Sequence, residues 1–282
     1  MTETHYIVDR LNPVIFKIYG DVGIRYYGLA YILAFIIGTA LLYIFYKAGK
    51  SPFDLGALQI IIPALLLGVM LGGRLGYVIL YAFPEFIKDP LMVFRVWDGG
   101  MSSHGGFIGV TLALLWISHR FKVPLLQVGD LICPVVPVGL FFGRIANFIN
   151  GELWGKVTTV SWAVIFPNSA PYGTPIEQIA PRHPSQLYEA FLEGLVLLLY
   201  SQWRFWQGSA QKTPGRLTGE FLIIYAIVRI ICEQFREPDA GLIWGLSRGI
   251  FYSFFMILAG VLLVFYTIYK KSCWDINTES KA

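Results

Sequence analysis

Long apolar stretches separated by short polar connections dominate the pattern along the chain. Two stretches of 21 residues, Tyr26–Tyr46 and Gly249–Tyr269, carry no charge. A bilayer core about 30 Å thick is crossed by roughly 20 helical residues, so each stretch predicts a membrane-spanning helix. Five more apolar stretches, each interrupted by ionisable residues, lie near 58–82, 102–118, 126–149, 185–203 and 217–236. The pattern predicts an all-α polytopic membrane protein with seven transmembrane helices.

The composition supports a membrane protein. Apolar residues make up 56% of the 282 positions and charged residues 14%, whereas about 25% of a typical soluble domain is charged. These values exclude an ordinary soluble protein, a disordered chain and a nucleic-acid binder. Residues 1–25 contain no apolar core of a cleavable signal peptide. We expect residues 1–282 to form a single transmembrane domain.

The distribution of basic residues predicts the orientation. The connections after the first, third, fifth and seventh helices contain ten Lys and Arg residues and three acids, whereas acids outnumber bases in the other connections. Because cytoplasmic loops are enriched in Lys and Arg, the first group is predicted to be cytoplasmic. The N-terminus and the loop 150–184 then face the periplasm, and the C-terminus faces the cytoplasm. The loop 150–184 is long enough to form a small periplasmic head, with a strand-like run at Val160–Phe166.

Several ionisable residues lie inside the predicted spans, where charge is costly and often functional. They are Arg74, Arg144, Glu189, Glu193, Arg229 and Glu233, with His104 at a helix end. At 1.5 Å per residue, Arg144 and Arg229 lie roughly 8 and 10 Å below the outer surface. Tyr26 begins the first helix on the same side. These positions predict a site for an anionic headgroup in the outer leaflet.

Each of these residues also has a structural interpretation. Arg229 and Glu233 are spaced for an ion pair within one helix, and Tyr26 fits an interfacial aromatic belt. A second group is expected to pair, cap a helix or lie at the surface: Glu193, Arg74, Asp130, Glu220 and His183. The carboxylates of Asp130 and Glu220 are predicted to lie near helix starts, where they suit the helix dipole.

A glycine-rich segment runs from Trp97 to Gly106 and contains His104 at a predicted helix N-terminus. Its four glycines permit a ligand to approach the backbone closely. The unpaired N–H groups of a helix N-terminus favour an anion such as phosphate. A flexible loop with an incidental histidine is the alternative interpretation.

A second segment runs from Gly143 to Gly155. Arg144 and Asn147 lie three residues apart on one helix face, so their side chains can point into one cavity. Asn150 and Glu152 follow where the chain leaves the helix. Because arginine forms bidentate contacts with phosphate, this segment predicts a phosphate site.

This second segment closely resembles the prolipoprotein diacylglyceryl transferases of bacteria. The family pattern Gly-Arg-x-(Gly/Ala)-Asn-Phe-x-Asn-x-Glu-x-x-Gly is matched at every fixed position between Gly143 and Gly155. Further similarity lies in Arg95–Met101 with His104-Gly105-Gly106, in Gly72–Tyr77, in Arg182–Glu189 and in Arg229–Asp239. The resemblance extends from about Pro13 to Tyr269. Seven helices with an outside-to-inside topology agree with the family.

The resemblance implies transfer of the diacylglyceryl group of phosphatidylglycerol to the lipobox cysteine thiol of a prolipoprotein signal peptide. A thioether forms and glycerol 1-phosphate is released, as the first step of bacterial lipoprotein maturation in the inner membrane. No cofactor or metal is implied. The acceptor cysteine belongs to the substrate, so Cys133, Cys232 and Cys273, which lack paired spacing, need no role.

The candidate roles follow from this reaction. Arg144 and Arg229 are expected to bind the phosphate and stabilise it as leaving group, and His104 is the candidate base for the thiol. An arginine near the thiolate could activate it instead. The remaining expected contributors hold the substrate or its arginines: Tyr26 and Asn147 orient the headgroup, Glu233 holds Arg229, Glu152 and Glu189 support the site, and Gly155 permits a turn into the head.

Two other functions fit the same charges. A transporter or lipid flippase would also need an outward-facing anion site, but the charges are confined to the outer half and no inverted repeat is visible. A lipid-binding scaffold explains the arginines but not the histidine in its glycine-rich loop. From the residues alone, the sequence predicts a membrane protein that binds an anionic lipid headgroup.

Overall fold

The computed structural model describes residues 6–19, 22–96, 99–208, 212–238 and 241–279. Trp97, Asp98 and Asp239, which belong to the motifs above, lie outside the described residues. The chain forms two compact units, one made of Met1–Leu41 with Ile132–Ala282 and the other of Leu42–Leu131. The first unit contains Arg144 and Arg229, and the second contains His104.

Helices account for most of the described residues. They are α1 (Tyr26–Lys47), α2 (Leu55–Tyr81), α3 (Phe83–Lys88), α4 (Ser103–Phe121), α5 (Leu125–Ile132), α6 (Val136–Ile149), α7 (Ser185–Glu189), α8 (Leu197–Trp206), α9 (Arg216–Glu233) and α10 (Arg248–Glu279). A π-helical segment, Ala190–Val196, joins α7 to α8 without a break. Each of the seven predicted spans therefore contains helix, with ends within a few residues of those predicted, apart from α10.

Within the described residues, three helices are long and apolar enough to cross a membrane by themselves. They are α1, α2 and the part of α10 from Arg248 to Lys270, and the bent pair of α5 and α6 would make a fourth span. The chain is therefore a helical membrane protein, and the number seven stays a prediction.

The predicted helix 126–149 is not continuous. It divides into α5 and α6, which meet at an angle of 46°. Pro134 lies in the break and Pro137 in the first turn of α6. Because proline has no backbone N–H, it fits a first helical turn but interrupts the interior of a helix. The break was not predicted, because the apolar residues continue through it without interruption.

The described residues also form four short strands in two small sheets, which the prediction of an all-α fold did not include. Strand β1 (Ile7–Val8) pairs in parallel with β4 (Val164–Ile165), with Ile7 opposite Val164. Strands β2 (Val14–Tyr19) and β3 (Val22–Arg25) form an antiparallel pair directly before α1. Only two residues of the predicted run Val160–Phe166 are strand. The β1–β4 pair fastens the N-terminal segment to the loop 150–184.

In the unit Leu42–Leu131, α2 and α4 pack through glycines spaced four residues apart. A Cβ atom on Gly105 would overlap the carbonyl oxygen of Gly72, and one on Gly109 would overlap that of Gly68. Such small-residue spacing lets transmembrane helices approach until their backbones touch. In the other unit, α9 and α10 meet similarly, since a Cβ on Gly219 would lie 2.9 Å from the Gly260 carbonyl oxygen.

Two acidic residues do not cap helices as expected. Asp130 is fully buried and is the sixth residue of α5, close to its C-terminal end. Glu220 is the fifth residue of α9, whose N-cap is Gly215. Its carboxylate lies 2.7 Å from Arg204 of α8 and 3.0 Å from Arg216. Glu220 thus forms ion pairs that link α9 to α8 and does not cap the N-terminus of α9.

Candidate active site

Three arginines and three glutamates form one ion-paired network in the unit that contains Arg144. We call this the ion network, and its members are Arg144, Glu189, Glu193, Arg229, Glu233 and Arg236. The glutamate side chains are at most 4% exposed. The six formal charges cancel, so the network is neutral as it stands.

Arg144 is held by two carboxylates. Its Nε lies 2.7 Å from Glu189 Oε2, and its Nη2 lies 3.3 Å from Glu193 Oε2. No hydrogen bond from its Nη1 to a described residue is present. The side chain is 17% exposed. One edge of the guanidinium is therefore fixed by the protein, and the opposite edge can contact a ligand.

Arg229 shares Glu193 with Arg144. Its Nη1 lies 3.1 Å from Glu193 Oε1, while its Nη2 pairs with Glu233. The expected Arg229–Glu233 contact is thus present, four residues apart on α9. Glu189 also pairs with both arginines, at 2.7 Å from Arg144 and 3.5 Å from Arg229, so two carboxylates together set the distance between the two guanidinium groups.

Helix geometry explains why these charges meet. Glu189 and Glu193 lie four residues apart where α7 passes into the π-helical segment, and Arg229 and Glu233 lie four apart on α9. Residues at this spacing project from the same helix face. The π-helical turns lie directly at Glu193, and such turns often mark functional sites because they re-aim side chains.

Arg236 completes the network from just beyond the end of α9. Its Nη1 lies 3.0 Å from Glu189 Oε1. The backbone here is fixed by the loop 150–184, since Lys156 N–H donates to the Phe235 carbonyl oxygen at 2.8 Å. The loop and the ion network are therefore mechanically connected.

Gly155 acts in this connection by its small size and not, as predicted, by permitting a turn. Its φ is not in the left-handed region. A Cβ atom at this position would lie 2.5 Å from the His183 carbonyl oxygen and 2.6 Å from that of Phe235. Only glycine lets the three backbone segments pack this closely.

Asn147 and Glu152 contact each other beside α6. Asn147 Nδ2 donates to Glu152 Oε1 at 2.7 Å, and Glu152 N–H donates to the Asn147 carbonyl oxygen at 3.1 Å. Gln186 Nε2 donates to the Glu152 carbonyl oxygen at 2.7 Å. The carboxylate of Glu152 thus fixes the position of the Asn147 amide.

The other predicted site residues do not join these contacts within the described part of the chain. Tyr26 is the first residue of α1 and its N–H donates to the Pro13 carbonyl oxygen at 3.1 Å, but its side chain forms no hydrogen bond to the ion network there. His104 is exposed in the first turn of α4 and belongs to the unit Leu42–Leu131.

Arg74 orders the glycine-rich segment that precedes His104. Its guanidinium donates to the carbonyl oxygens of several loop residues, including Arg95 at 2.8 Å and Gly100 at 3.0 Å. Its side chain is buried. The structural interpretation of Arg74 is therefore supported, although its partners are backbone carbonyls and not a carboxylate.

Sequence reasoning undervalued two members of the ion network. Glu193 was interpreted as structural, and Arg236 was not assigned a role. The signal was present in the i, i+4 pairing of Glu189 with Glu193 and in the charges at 229, 233 and 236, which recur every three to four residues. His183, expected to be a surface or structural residue, is half-buried and packs against Phe235 with ring centroids 5.2 Å apart.

The chemistry of the site is that of an anion receptor. The guanidinium groups of Arg144 and Arg229 share two carboxylates and are 17% and 13% exposed, and arginine matches phosphate geometry with paired N–H donors. Across the described residues, no cluster of three or more His, Cys, Asp or Glu side chains is arranged to hold a metal ion.

The sequence profile of the family described as prolipoprotein diacylglyceryl transferase matches residues 13–266. Three curated relatives carry the name phosphatidylglycerol–prolipoprotein diacylglyceryl transferase. The Rhizobium meliloti protein is 43% identical over 89% of this chain and 90% of its own length. The Pseudoalteromonas atlantica protein is 42% identical over 100% and 99%, and the Pectobacterium atrosepticum protein is 43% identical over 94% and 96%.

The matched region includes every member of the ion network, the Gly143–Gly155 segment and His104. The family model matches well over half of the chain, and the relatives are 42–43% identical over 89–100% of it. The chain therefore belongs to the prolipoprotein diacylglyceryl transferase family.

Proposed function

We propose that this protein transfers the diacylglyceryl group of phosphatidylglycerol to the lipobox cysteine of prolipoproteins, the first step of lipoprotein maturation. The names of the relatives support the two substrates. The observation that carries the proposal is the pair Arg144 and Arg229, bridged by the buried carboxylates of Glu189 and Glu193 and each partly exposed. Such a pair suits a phosphate that gains charge during a reaction.

The proposed reaction is an alkyl transfer. The cysteine sulfur attacks the glyceryl carbon that carries the phosphate, a C–S bond forms, and the C–O bond to the phosphate oxygen breaks. The bonding electrons stay with that oxygen, so a phosphodiester of charge −1 leaves as glycerol 1-phosphate with charge near −2. The thiol proton passes to a base. Stabilising the leaving phosphate is the main catalytic requirement.

Arg144 is proposed to contact the leaving oxygen or its neighbours through the edge that carries Nη1. Glu189 and Glu193 hold the opposite edge, so the guanidinium does not have to reorient as charge develops. Donors fixed before the reaction contribute most in a site from which water is excluded. Removing one such donor typically costs about 10²–10³ in kcat.

Arg229 is proposed to bind a second phosphate oxygen, with Glu233 fixing its position. The neutral network becomes negative when phosphatidylglycerol binds and more negative as the phosphate leaves. The two arginines therefore bind the phosphate of the transition state more strongly than that of the substrate, which is what accelerates a reaction.

The remaining residues have proposed positioning roles, apart from the base. His104 is the proposed base for the thiol, since an imidazole titrates near neutral pH. Tyr26 and Asn147 are proposed to orient the headgroup, with Glu152 holding Asn147 and Gly155 keeping the loop against Phe235. If His104→Gln kept full turnover with an unchanged pH profile, the assignment of the base would be wrong.

The proposed setting is the bacterial inner membrane. The proposal of seven spans follows from the apolar stretches, and that of a periplasmic N-terminus and a cytoplasmic C-terminus follows from the distribution of Lys and Arg. The loop 150–184 would then be a periplasmic head beside the ion network, where prolipoproteins arrive after translocation.

The reaction is tested with purified protein reconstituted in vesicles of phosphatidylglycerol. This lipid carries one label in its headgroup glycerol and ¹⁸O in the oxygen that joins the phosphate to the diacylglyceryl carbon. A peptide with a lipobox cysteine is the acceptor. We expect one labelled glycerol phosphate, retaining the ¹⁸O, for each thioether formed. Label left on diacylglycerol would indicate P–O cleavage and contradict the alkyl transfer. Lipid binding without release would favour a transporter or a scaffold.

A further inference from the structure

Arg74 uses all five of its N–H donors on one loop. A guanidinium has five N–H donors and no acceptor. In Arg74 each donor meets a backbone carbonyl oxygen between residues 92 and 100, and the side chain is buried. The acceptors are Val93 for Nε, Gly99 and Gly100 for Nη1, and Met92 and Arg95 for Nη2. We call these five hydrogen bonds the carbonyl clamp.

The loop depends on this clamp for its conformation. It begins with a single 3₁₀ turn at Pro90–Phe94, and its later residues Gly99 and Gly100 have φ angles of +81° and +85°. Glycine populates positive and negative φ about equally and loses much conformational freedom when it is ordered. The sequence of the loop therefore does not select this conformation by itself, and the hydrogen bonds from Arg74 on α2 hold it in place.

The clamp is continuous with the start of α4, which carries His104. Ser102 is the N-cap of this helix, and its Oγ accepts a hydrogen bond from the Gly105 N–H at 3.2 Å. The Ser102 N–H donates to the Gly73 carbonyl oxygen at 2.9 Å. Two neighbouring residues of α2, Gly73 and Arg74, therefore hold the N-cap of α4 and the loop that leads into it.

Close packing on α2 fixes the backbone on both sides of His104. A Cβ atom on Gly100 would lie 2.4 Å from the Tyr77 ring, and one on Gly105 would lie 2.1 Å from the Gly72 carbonyl oxygen. The segment before His104 and the turn after it thus both rest directly on α2. A displacement of the loop would be passed on to His104, because only three residues separate it from Gly100.

We propose that Arg74 is a positioning residue for the transfer reaction and acts through His104. By holding the glycine-rich loop, it keeps the imidazole where it can take the proton of the acceptor thiol. A general base must lie within hydrogen-bond reach of that proton, and a misplacement of about 1 Å can lower a rate by about 10². The proposal rests on the proposed function, in which His104 is the base. The competing interpretation is that Arg74 only stabilises the fold.

The first test is the pH dependence of the transfer rate in the reconstituted full-length enzyme. At neutral pH, Arg74→Gln is expected to lower kcat by about 10² and to leave the KM for phosphatidylglycerol unchanged. A free cysteine thiol has a pKa of about 8.5, so above this pH the peptide supplies its own thiolate. The deficits of Arg74→Gln and of His104→Gln are therefore expected to shrink together as the pH rises. A purely structural loss would persist at every pH, and that result would overturn the proposal.

The second test combines the two substitutions. Residues that act as a unit show strongly non-additive effects, so Arg74→Gln is expected to cause no further loss of kcat in a His104→Gln background. Equal loss in both backgrounds would overturn the proposal, as would wild-type turnover by His104→Gln beside a slow Arg74→Gln. Arg120→Gln, at an exposed position in the last turn of α4, is the control and is expected to keep the wild-type rate.

Arg74→Lys keeps the test decisive if Arg74→Gln does not fold. Lysine retains the positive charge but has three donors on one atom, so it cannot satisfy five carbonyl oxygens. We expect Arg74→Lys to be slow at neutral pH, with a deficit that shrinks as the pH rises. A wild-type rate in folded Arg74→Lys would overturn the proposal. Failure of the proposed function is distinguished by the wild-type enzyme, which would then form no thioether at any pH.

Discussion

Glu193→Gln perturbs the ion network while preserving its shape, because the amide has nearly the volume of the carboxylate. The substitution removes one of the two negative charges that Arg144 and Arg229 share, the one at 3.3 and 3.1 Å from them, and leaves that of Glu189 in place. At an effective dielectric constant of about 20, each contact corresponds to a Coulomb energy of about 5 kcal/mol. The network changes from neutral to a charge of +1.

The net cost is smaller than the sum of these contacts, because the carboxylate no longer has to be desolvated. Breaking a buried ion pair from one side typically destabilises a protein by about 3–5 kcal/mol. At roughly 2–4 °C per kcal/mol for a chain approaching this size, we expect the melting temperature to fall by about 6–20 °C.

The informative measurement is thermal unfolding in detergent with added lipid. Phosphatidylglycerol supplies one negative charge, so it is expected to raise the melting temperature of Glu193→Gln more than that of wild type. Zwitterionic phosphatidylethanolamine gives the baseline for each protein. In the transfer assay, kcat is expected to fall while the apparent KM for phosphatidylglycerol does not rise.

Glu220→Gln is the matched control, since Glu220 also bridges two arginines, Arg204 and Arg216. This variant is expected to lose stability without any added response to phosphatidylglycerol. If both variants gained equally from the anionic lipid, or if Glu193→Gln melted like wild type, the reasoning about the ion network would be refuted.

Three further predictions use single substitutions. Gly155→Ala is expected to reduce kcat in the transfer assay at least tenfold, because its Cβ would displace the Phe235 backbone. Gly139→Ala is the control and is expected to remain active, because a Cβ at that position meets nothing within 4 Å. Gly109→Leu is expected to lower the yield and melting temperature of folded protein by separating α2 from α4, and normal melting would contradict the packing. Burial lowers the pKa of His183 from its usual 6.5, so its contribution to stability is present above pH 6.5 and lost as the pH falls through the folded-state pKa. His183→Gln should flatten the melting temperature between pH 7 and pH 5, and an unchanged pH slope would argue against this.

The helical elements could be predicted from the sequence because apolar length is a direct physical requirement of a bilayer. Helix α1 begins at Tyr26, where the uncharged stretch begins. The break between α5 and α6 could not be read from hydropathy, since Pro134 and Pro137 lie inside an apolar run. Strand β1 was missed because a two-residue strand leaves almost no periodicity, whereas β4 lies within the strand-like run predicted at Val160–Phe166.

The candidate site was partly predictable for a related reason. A charge inside a span is conspicuous, which identified Arg144, Arg229 and Glu189. The spacing of Glu193 from Glu189 was a signal, but its two arginine partners could not be identified from the sequence, because they lie on α6 and α9, 49 and 36 residues away. Gly155 was identified by its motif, but its use in close backbone contact required the positions of residues 183 and 235.

The central claim is that Arg144 stabilises the leaving phosphate of phosphatidylglycerol. The most direct test is single-turnover release of labelled glycerol phosphate by Arg144→Ala and by Arg204→Ala. Arg204 is the matched control because it is also paired with a glutamate and its side chain is 15% exposed, against 17% for Arg144. We predict that Arg144→Ala lowers the rate of release and of thioether formation together by about 10²–10³, whereas Arg204→Ala stays within a few-fold of wild type. Equal rates in the two folded variants would contradict the claim.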